Sequence, residues 1–286
     1  MSFNDIPSCV LQYLIDNYLF LIDIIHLIKV NKKCNKLKVK DFFNVNSEYI
    51  KKRLCDDILK KHEYIEKLDA HNNPNILDIS YLIHLKVLKV SGSESLIDSI
   101  SLKTLINLEE LDISSNYYVT NLNHLVNLKK LIAPDSQLNN ENIKNLVNLE
   151  ELNISNNFHI TKINHCINLK VLTAYNTKLK NESIKDLVNL ETLVIIKNKH
   201  ITRISHLNKL KVLTLVNCVV NNEELMNLYD LEVLNVTNNV NIINIGHLVK
   251  LKVLYAAGKS GITDNSIKYM NIEKIHSYMN LKITSR

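Results

Sequence analysis

With 286 residues, 46% of them hydrophobic and 22% charged, the chain has enough apolar side chains for a sizeable core and is not a disordered protein by composition. Its net charge of +6 is local: from Lys29 to Lys61 there are eleven Lys/Arg against Asp41, Glu48, Asp56 and Asp57, an excess of +7 that leaves −1 for the rest. That excess reads as the solvated face of short helices, which argues against a nucleic-acid surface.

The first 41 residues carry a helical pattern. Val10, Leu11, Leu14 and Ile15 lie at helical spacing, with Pro7 suited to a first turn. A second helix is expected over Phe20 to Ile28 and a third from Asn31 to Leu37. Three helices this small build a poor core by themselves, so they call for a partner. The apolar run Tyr18 to Ile28 is broken by Asp23 and His26 and is too short to span a bilayer, and the start lacks a basic leader region. Cys9, Cys34, Cys55, Cys166 and Cys218 form no CxxC pair, the usage of a reducing compartment. The chain is therefore expected to be soluble and cytoplasmic, with the nucleus as the alternative and no membrane among its partners.

This stretch resembles an F-box. Ile6-Pro7 match the opening Leu-Pro, Val10-Leu11 and Leu14-Ile15 the first helix, and Val30-Asn31-Lys32-Lys33 the later Val-Cys-Lys stretch. It departs from the motif at Ser8 and Cys9, where an acidic residue is usual, and at Cys34, where a Trp is. The resemblance implies docking onto the Skp-type adaptor of a cullin (SCF) ubiquitin ligase, through Ile6, Pro7, Val10, Leu11, Leu14, Ile15 and Val30. The alternative is a helical cap that shields the first repeat, as solenoids require. Residues 42–63 read as a linker and capping helix, with Tyr49, Ile50, Leu54, Ile58 and Leu59 on one stripe of residues 46–62.

From residue 64 to 286 one unit recurs, Leu-x-x-Leu-x-(apolar)-x-x-(Asn or small). It begins at Ile65, Leu85, Leu108, Leu128, Leu149, Leu169, Leu190, Leu210, Leu231, Leu251 and Ile272, in steps of 20 to 23 residues. In Leu108-Glu-Glu-Leu111-Asp-Ile113, alternation sends Leu111 and Ile113 to one side of a short strand and Glu110 and Asp112 to the other. Twenty residues cannot bury such a face alone, but stacked coils form one parallel sheet over one core. The ninth position holds Asn73, Asn116, Asn157, Asn198, Asn239 and Asn280 in alternate units, and Ser93, Ser136, Thr177, Cys218 and Lys259 between them. An Asn amide there can satisfy backbone donors and acceptors of adjacent coils.

This pattern resembles the leucine-rich-repeat family, and the fold expected is α/β: a curved parallel-sheet solenoid of about eleven units behind a small N-terminal helical module. The units alternate in kind, giving a 41-residue double repeat. Asn units continue as Ile160-Thr-Lys-Ile163, much like internalin-type repeats, and the others as Asn140-Glu-Asn-Ile143, where Asn139 or Asn140 can cap a short helix. Cys166 and Cys218 fall on core and ladder positions and are expected to be buried and inert. His124, His165, His206 and His247 recur every 41 residues, two coils or roughly 10 Å apart, too far to share a zinc ion, so turn-stabilising hydrogen bonds are expected. No Ser-His-Asp spacing, Gly-rich phosphate loop or paired-carboxylate motif occurs, and no enzymatic role, cofactor or metal is expected.

The outward strand positions differ along the chain. The early ones are polar: Lys67, Asp69, Lys89, Glu110, Asp112, Lys130, Glu151 and Asn153. Later ones turn apolar: Val171, Tyr175, Val194, Ile196, Val212, Val216, Val233, Val253 and Tyr255. A continuous apolar patch on a concave face marks a binding site, so Tyr175, Val194, Ile196, Val212, Val216, Val233 and Tyr255 are expected to hold a target protein. The function this implies is a protein-binding adaptor, a substrate receptor of an SCF-type ligase, with a plain repeat scaffold or regulatory subunit as the alternative.

Overall fold

The structure, a computed structural model, describes residues 40–42, 54–62 and 64–284. Ile6, Pro7, Val10, Leu11, Leu14, Ile15 and Val30 lie outside the described residues, as do residues 46–53 of the helix expected over 46–62. The chain forms two compact units, residues 1–128 and 129–286, within what the repeat pattern alone reads as one domain from residue 64.

In the first unit the strands are β1 (Asp41–Phe42), β2 (Lys67–Asp69), β3 (Val87–Lys89) and β4 (Glu110–Asp112), parallel and paired in chain order. The edge strand β1 comes from the junction of the expected N-terminal module and linker. Asp41 pairs with Lys67 and Phe42 with Leu68, so the sheet begins before the first repeat. Helix α1 (Asp56–Leu59) then closes the end of the core with the buried Leu54 and Leu59, and Asn73 Nδ2 donates to the Leu54 carbonyl at 3.0 Å. Capping of the first coil is thus visible in residues 54–62.

The second unit stacks β5 (Lys130–Ile132), β6 (Glu151–Asn153), β7 (Val171–Tyr175), β8 (Thr192–Ile196), β9 (Val212–Val216), β10 (Val233–Asn235), β11 (Val253–Tyr255) and β12 (Lys274–His276), again parallel and in order. Each of the eleven sequence units therefore supplies one strand. The fourth-position leucines from Leu68 to Leu254 are buried, each stabilising by ~1.5–3 kcal/mol relative to exposure.

The fifth residue of the unit ends some strands early, although β3, β5, β11 and β12 also stop at three residues with Lys89, Ile132, Tyr255 and His276 there. Where that residue is Asp or Asn, its side chain captures the backbone N–H two residues on and turns the chain away. Asp112 takes Ser114 N at 2.9 Å, Asn153 takes Ser155 N at 3.0 Å, and Asn235 takes Thr237 N at 3.1 Å. Thr173, Val194 and Thr214 offer no such turn and are β-branched, and β7, β8 and β9 run on for five residues.

Behind the strands every unit places its eighth residue in the left-handed region, from Asn72 (φ 50°) to Met279 (φ 59°), with Gly92 at φ 98° and Gly258 at φ 60°. The kink aims that residue's N–H at the next coil, as in Asn176 N to Ile196 O at 2.8 Å. Asn tolerates this conformation and Gly favours it, which gives many of the chain's asparagines a structural reason.

The ladder follows. Asn198 Nδ2 donates to the carbonyls of Leu179 (3.0 Å) and Thr177 (3.3 Å), and its Oδ1 accepts from the N–H groups of His200 (2.7 Å) and Ile201 (2.9 Å). Two of the expected ladder positions are corrected. Ser93 and Lys259 are exposed, and Ser95 and Ser260 are the buried residues, because the loops after β3 and β11 are longer than the nine-residue count allows. Asn116 Nδ2 accordingly meets Ser95 Oγ at 3.4 Å.

The far side explains the double repeat. The extended segments lack internal hydrogen bonds, and an Asn of the preceding coil supplies acceptors: Asn140 Oδ1 takes Thr161 N and Lys162 N, and Asn181 Oδ1 takes Thr202 N and Arg203 N, all within 3.0 Å. Those same asparagines open α2 (Asn140–Ile143) and α3 (Asn181–Ile184). Asn139 caps α2, its side chain accepting from Glu141 N and Asn142 N, as expected.

Candidate interaction surface

Three rows of side chains face outward from β7 to β11. Strand register sets Val171, Thr192, Val212, Val233 and Val253 side by side in the first row. The second row is Thr173, Val194 and Thr214, then Asn235 and Tyr255. The third aligns Tyr175, Ile196 and Val216, the extension that only the five-residue strands possess.

Of the residues expected to hold a target, Tyr175, Val194, Ile196, Val212, Val216 and Val233 are half-buried by their neighbours and Tyr255 is exposed. The rows are less uniformly apolar than the sequence suggests, because Thr173, Thr192, Thr214 and Asn235 interleave with the valines. The result is a β-branched surface with hydroxyls spaced through it, able to offer both dispersion contacts and hydrogen bonds.

Its two tyrosines differ in setting. Tyr175 Oη accepts from Lys197 Nζ at 3.0 Å, and that ammonium stands 5.3 Å from the ring centroid. Lys197 is itself one of the left-handed residues, at φ 54°. Tyr255 stacks on His276 with centroids 4.4 Å apart and planes 9° apart. In the first unit one outward row alternates in sign, Asp69 beside Lys89 and Lys89 beside Asp112, and the other runs Lys67, Val87 and Glu110.

Two surface features escaped the sequence reading. At the second position of every unit Glu and Lys alternate, from Glu66 and Lys86 to Lys252 and Glu273. In the second unit this gives Lys170–Glu150 at 2.6 Å, Lys211–Glu191 at 2.7 Å and Lys252–Glu232 at 2.6 Å. Each lysine holds its carboxylate below the usual range, chiefly by the hydrogen bond and then by its charge. The sign alternation was legible in the sequence once units were aligned. Two residues before eight of the nine strand-opening leucines, an exposed apolar residue also recurs: Ile83, Ile106 and Val126, then Val147, Ile167, Val188, Tyr229 and Val249, with Asn208 before Leu210. Beside it Asn107, Asn127, Asn168 and Asn189 donate to the preceding coil, as in Asn168 Nδ2 to Val147 O at 3.2 Å.

The recurring histidines do what their spacing suggests. Nε2 of His124, His165, His206 and His247 lies 2.9 to 3.2 Å from the carbonyls of Leu102, Ile143, Ile184 and Leu225. With a carbonyl as acceptor, Nε2 carries the proton. Cys166 is buried and burial pushes its thiol up to about 12; burial likewise raises Cys218. Among the described residues no group of three His, Cys, Asp or Glu is placed to hold a metal ion, and no helix is long and apolar enough to cross a membrane.

No family model and no curated protein matches the sequence. Solved structures do match in shape. The chain is similar to an internalin (InlF) from Listeria monocytogenes, with a TM-score of 0.65 at 20% identity over 89% of this chain and 77% of that one. A leucine-rich-repeat protein of Leptospira interrogans gives 0.56 at 18% identity, covering 84% and 83%. TLR13, solved in complex with ssRNA13, gives 0.60 at 18% identity over 97% of this chain and 45% of its own. The fold is that of the leucine-rich repeat.

Proposed function

We propose that the chain is a protein-binding adaptor whose target lies against the outward face of β7 to β11. The observation that carries this reading is the third row, Tyr175, Ile196 and Val216. Three adjacent strands extend there in register, and they place an aromatic and two branched aliphatic side chains at the surface. Leucine, isoleucine and alanine on the inner side already complete the core, so the fold does not need these residues apolar. A partner that buries them gains from their release from water. Thr173 and Thr214 between them would fix orientation by hydrogen bonding.

The finer part of the proposal is that residues 1–41 join the chain to a Skp-type adaptor of a cullin ubiquitin ligase, the repeats then choosing the protein to be modified. It rests on the sequence pattern Ile6-Pro7, Val10-Leu11, Leu14-Ile15 and Val30, and it places the protein in the cytoplasm or nucleus. The alternative, a scaffold with no ubiquitin link, draws on the capping role of residues 54–62, which shows part of the N-terminal region serving the first coil.

A pull-down separates the two. The full chain is compared with a truncation starting at Lys40, which keeps the edge strand β1. The ligase reading expects a Skp-type adaptor from the full chain only. Recovery from neither selects the scaffold. Leu11→Asp with Leu14→Asp in the full chain is expected to abolish adaptor binding while melting stays cooperative, and unchanged binding would rule out the F-box assignment.

A further inference from the structure

On the far side of the second unit, away from the outward strand face, a cleft of about 490 Å³ is lined by Thr161, Lys162, Asn164, Lys178, Lys180, Glu182, Ser183 and Lys185. Four exposed lysines and a single carboxylate thus line it. Glu182 pairs with Lys185 at 3.5 Å, while Lys162, Lys178 and Lys180 make no ion pair among the described residues. Two further acids stand at the margin: Asp186 accepts from Asn164 Nδ2 at 3.4 Å, and Glu141 is bonded to Lys144.

The repeat supplies its own controls. The place of Lys178 is taken by Gln137 and Val219 in sister coils, and that of Lys162 by Asn121, Arg203 and Asn244. Coil geometry therefore does not require lysine at either site. Lys180 goes further and breaks a local rule. It stands at the N-cap of α3, where the equivalent Asn139 and Thr263 accept from the first-turn N–H groups of their helices, although the equivalent Asn221 makes no such bond. A lysine can accept nothing, and it brings positive charge to the positive end of the turn. Ser183 Oγ accepts from Lys180 N at 3.0 Å, as Asn142 and Ser266 accept from their own cap residues, and donates to Thr161 O at 2.6 Å; neither bond supplies an acceptor for the first turn. A position that sacrifices local stability and gathers like charge marks a site kept for binding.

We propose that this cleft binds a compact multivalent anion of the phosphate class. Its volume falls in the range of small-ligand sites. Lysines on flexible stems act as point charges that can close around clustered phosphoryl oxygens, whereas a single carboxylate meets too few of them. The proposal is independent of the strand-face reading.

Tripolyphosphate is titrated into the full chain by calorimetry at fixed ionic strength, beside monophosphate and a hexaglutamate peptide. The expected order is tripolyphosphate well ahead of both others. Lys178→Gln and Lys180→Asn should each weaken tripolyphosphate binding about tenfold, and Lys103→Gln in the first unit should leave it unchanged. Lys180→Asn, which restores the cap, should also raise the melting temperature of the free protein. Absence of binding, equal weakening by Lys103→Gln, or no effect of Lys178→Gln and Lys180→Asn overturns the site. Hexaglutamate bound as tightly as tripolyphosphate overturns the phosphate assignment in favour of an acidic peptide.

Discussion

Asn198 and Asn239 occupy the same ladder position two coils apart and are equally buried, yet replacing each with Ala should have very different consequences. Asn198 makes four hydrogen bonds to neighbouring backbone groups. Among its partners, Leu179 and Ile201 are fully buried, so water cannot replace the lost contact there. At ~1–3 kcal/mol for each orphaned buried group, those two alone put Asn198→Ala at ~2–6 kcal/mol, before any cavity is counted. Asn239 is otherwise placed. Its Oδ1 accepts from Asn241 N at 3.3 Å, an exposed group, and its Nδ2 has no partner. The preceding ladder residue is Cys218, whose thiol is directed at the Ile195 and Val216 carbonyls. Removing Asn239 discards one weak bond and one unsatisfied donor, so Asn239→Ala should cost less than ~1 kcal/mol. Urea denaturation followed by far-UV circular dichroism measures both, with equal m-values as the check that the same structure unfolds. Costs equal within ~0.5 kcal/mol, or a larger cost at Asn239, would refute the argument that satisfaction rather than position sets the ladder's contribution.

Other outcomes follow from the same geometry. Gly92→Ala should destabilise by ~1–3 kcal/mol in thermal melts, since its φ is 98° and a Cβ would sit 2.6 Å from Asn72 Oδ1; an unchanged melting temperature would contradict it. Cys166, its thiol raised from 9.0 to about 12 by burial, should resist alkylation in the native protein at pH 8 and react on unfolding. The sign of the linkage is fixed by the unfolded chain losing that proton first: the contribution is whole below pH 9 and declines as pH rises towards 12, which alkaline melts of Cys166→Ala against the parent would detect.

The period, the buried leucines and the alternating Asn ladder were all legible in the sequence, because each is a spacing imposed by a stacked coil. Ser95 and Ser260 were not, since a fixed count of nine residues misses loops that lengthen after the strand. The left-handed eighth residue was hidden by its variety: Asn, Gly, Ser, Asp, Lys and Met all occupy it, and backbone conformation leaves only a statistical trace in residue choice. At the outward face the apolar residues were readable one strand at a time, whereas the threonines between them emerge only when the register is known. Lys180 carries a signal that was present in the sequence, a lysine where sister coils cap with Asn139 or Thr263, and it is intelligible only once α3 fixes the cap position.

The central claim, that the outward face of β7 to β11 holds a target protein, is tested most directly by Ile196→Lys with Val216→Lys. Both side chains are half-buried, and lysine stems can lie along the same surface, so cooperative melting should persist. Quantitative affinity capture compares the double variant with the parent, and purified hits are then titrated against both. At least one captured protein should bind the variant with affinity reduced roughly thirtyfold, ~2 kcal/mol or more, while any protein bound elsewhere on the chain is retained equally. An identical set of partners with identical affinities, from a variant that melts like the parent, would contradict it.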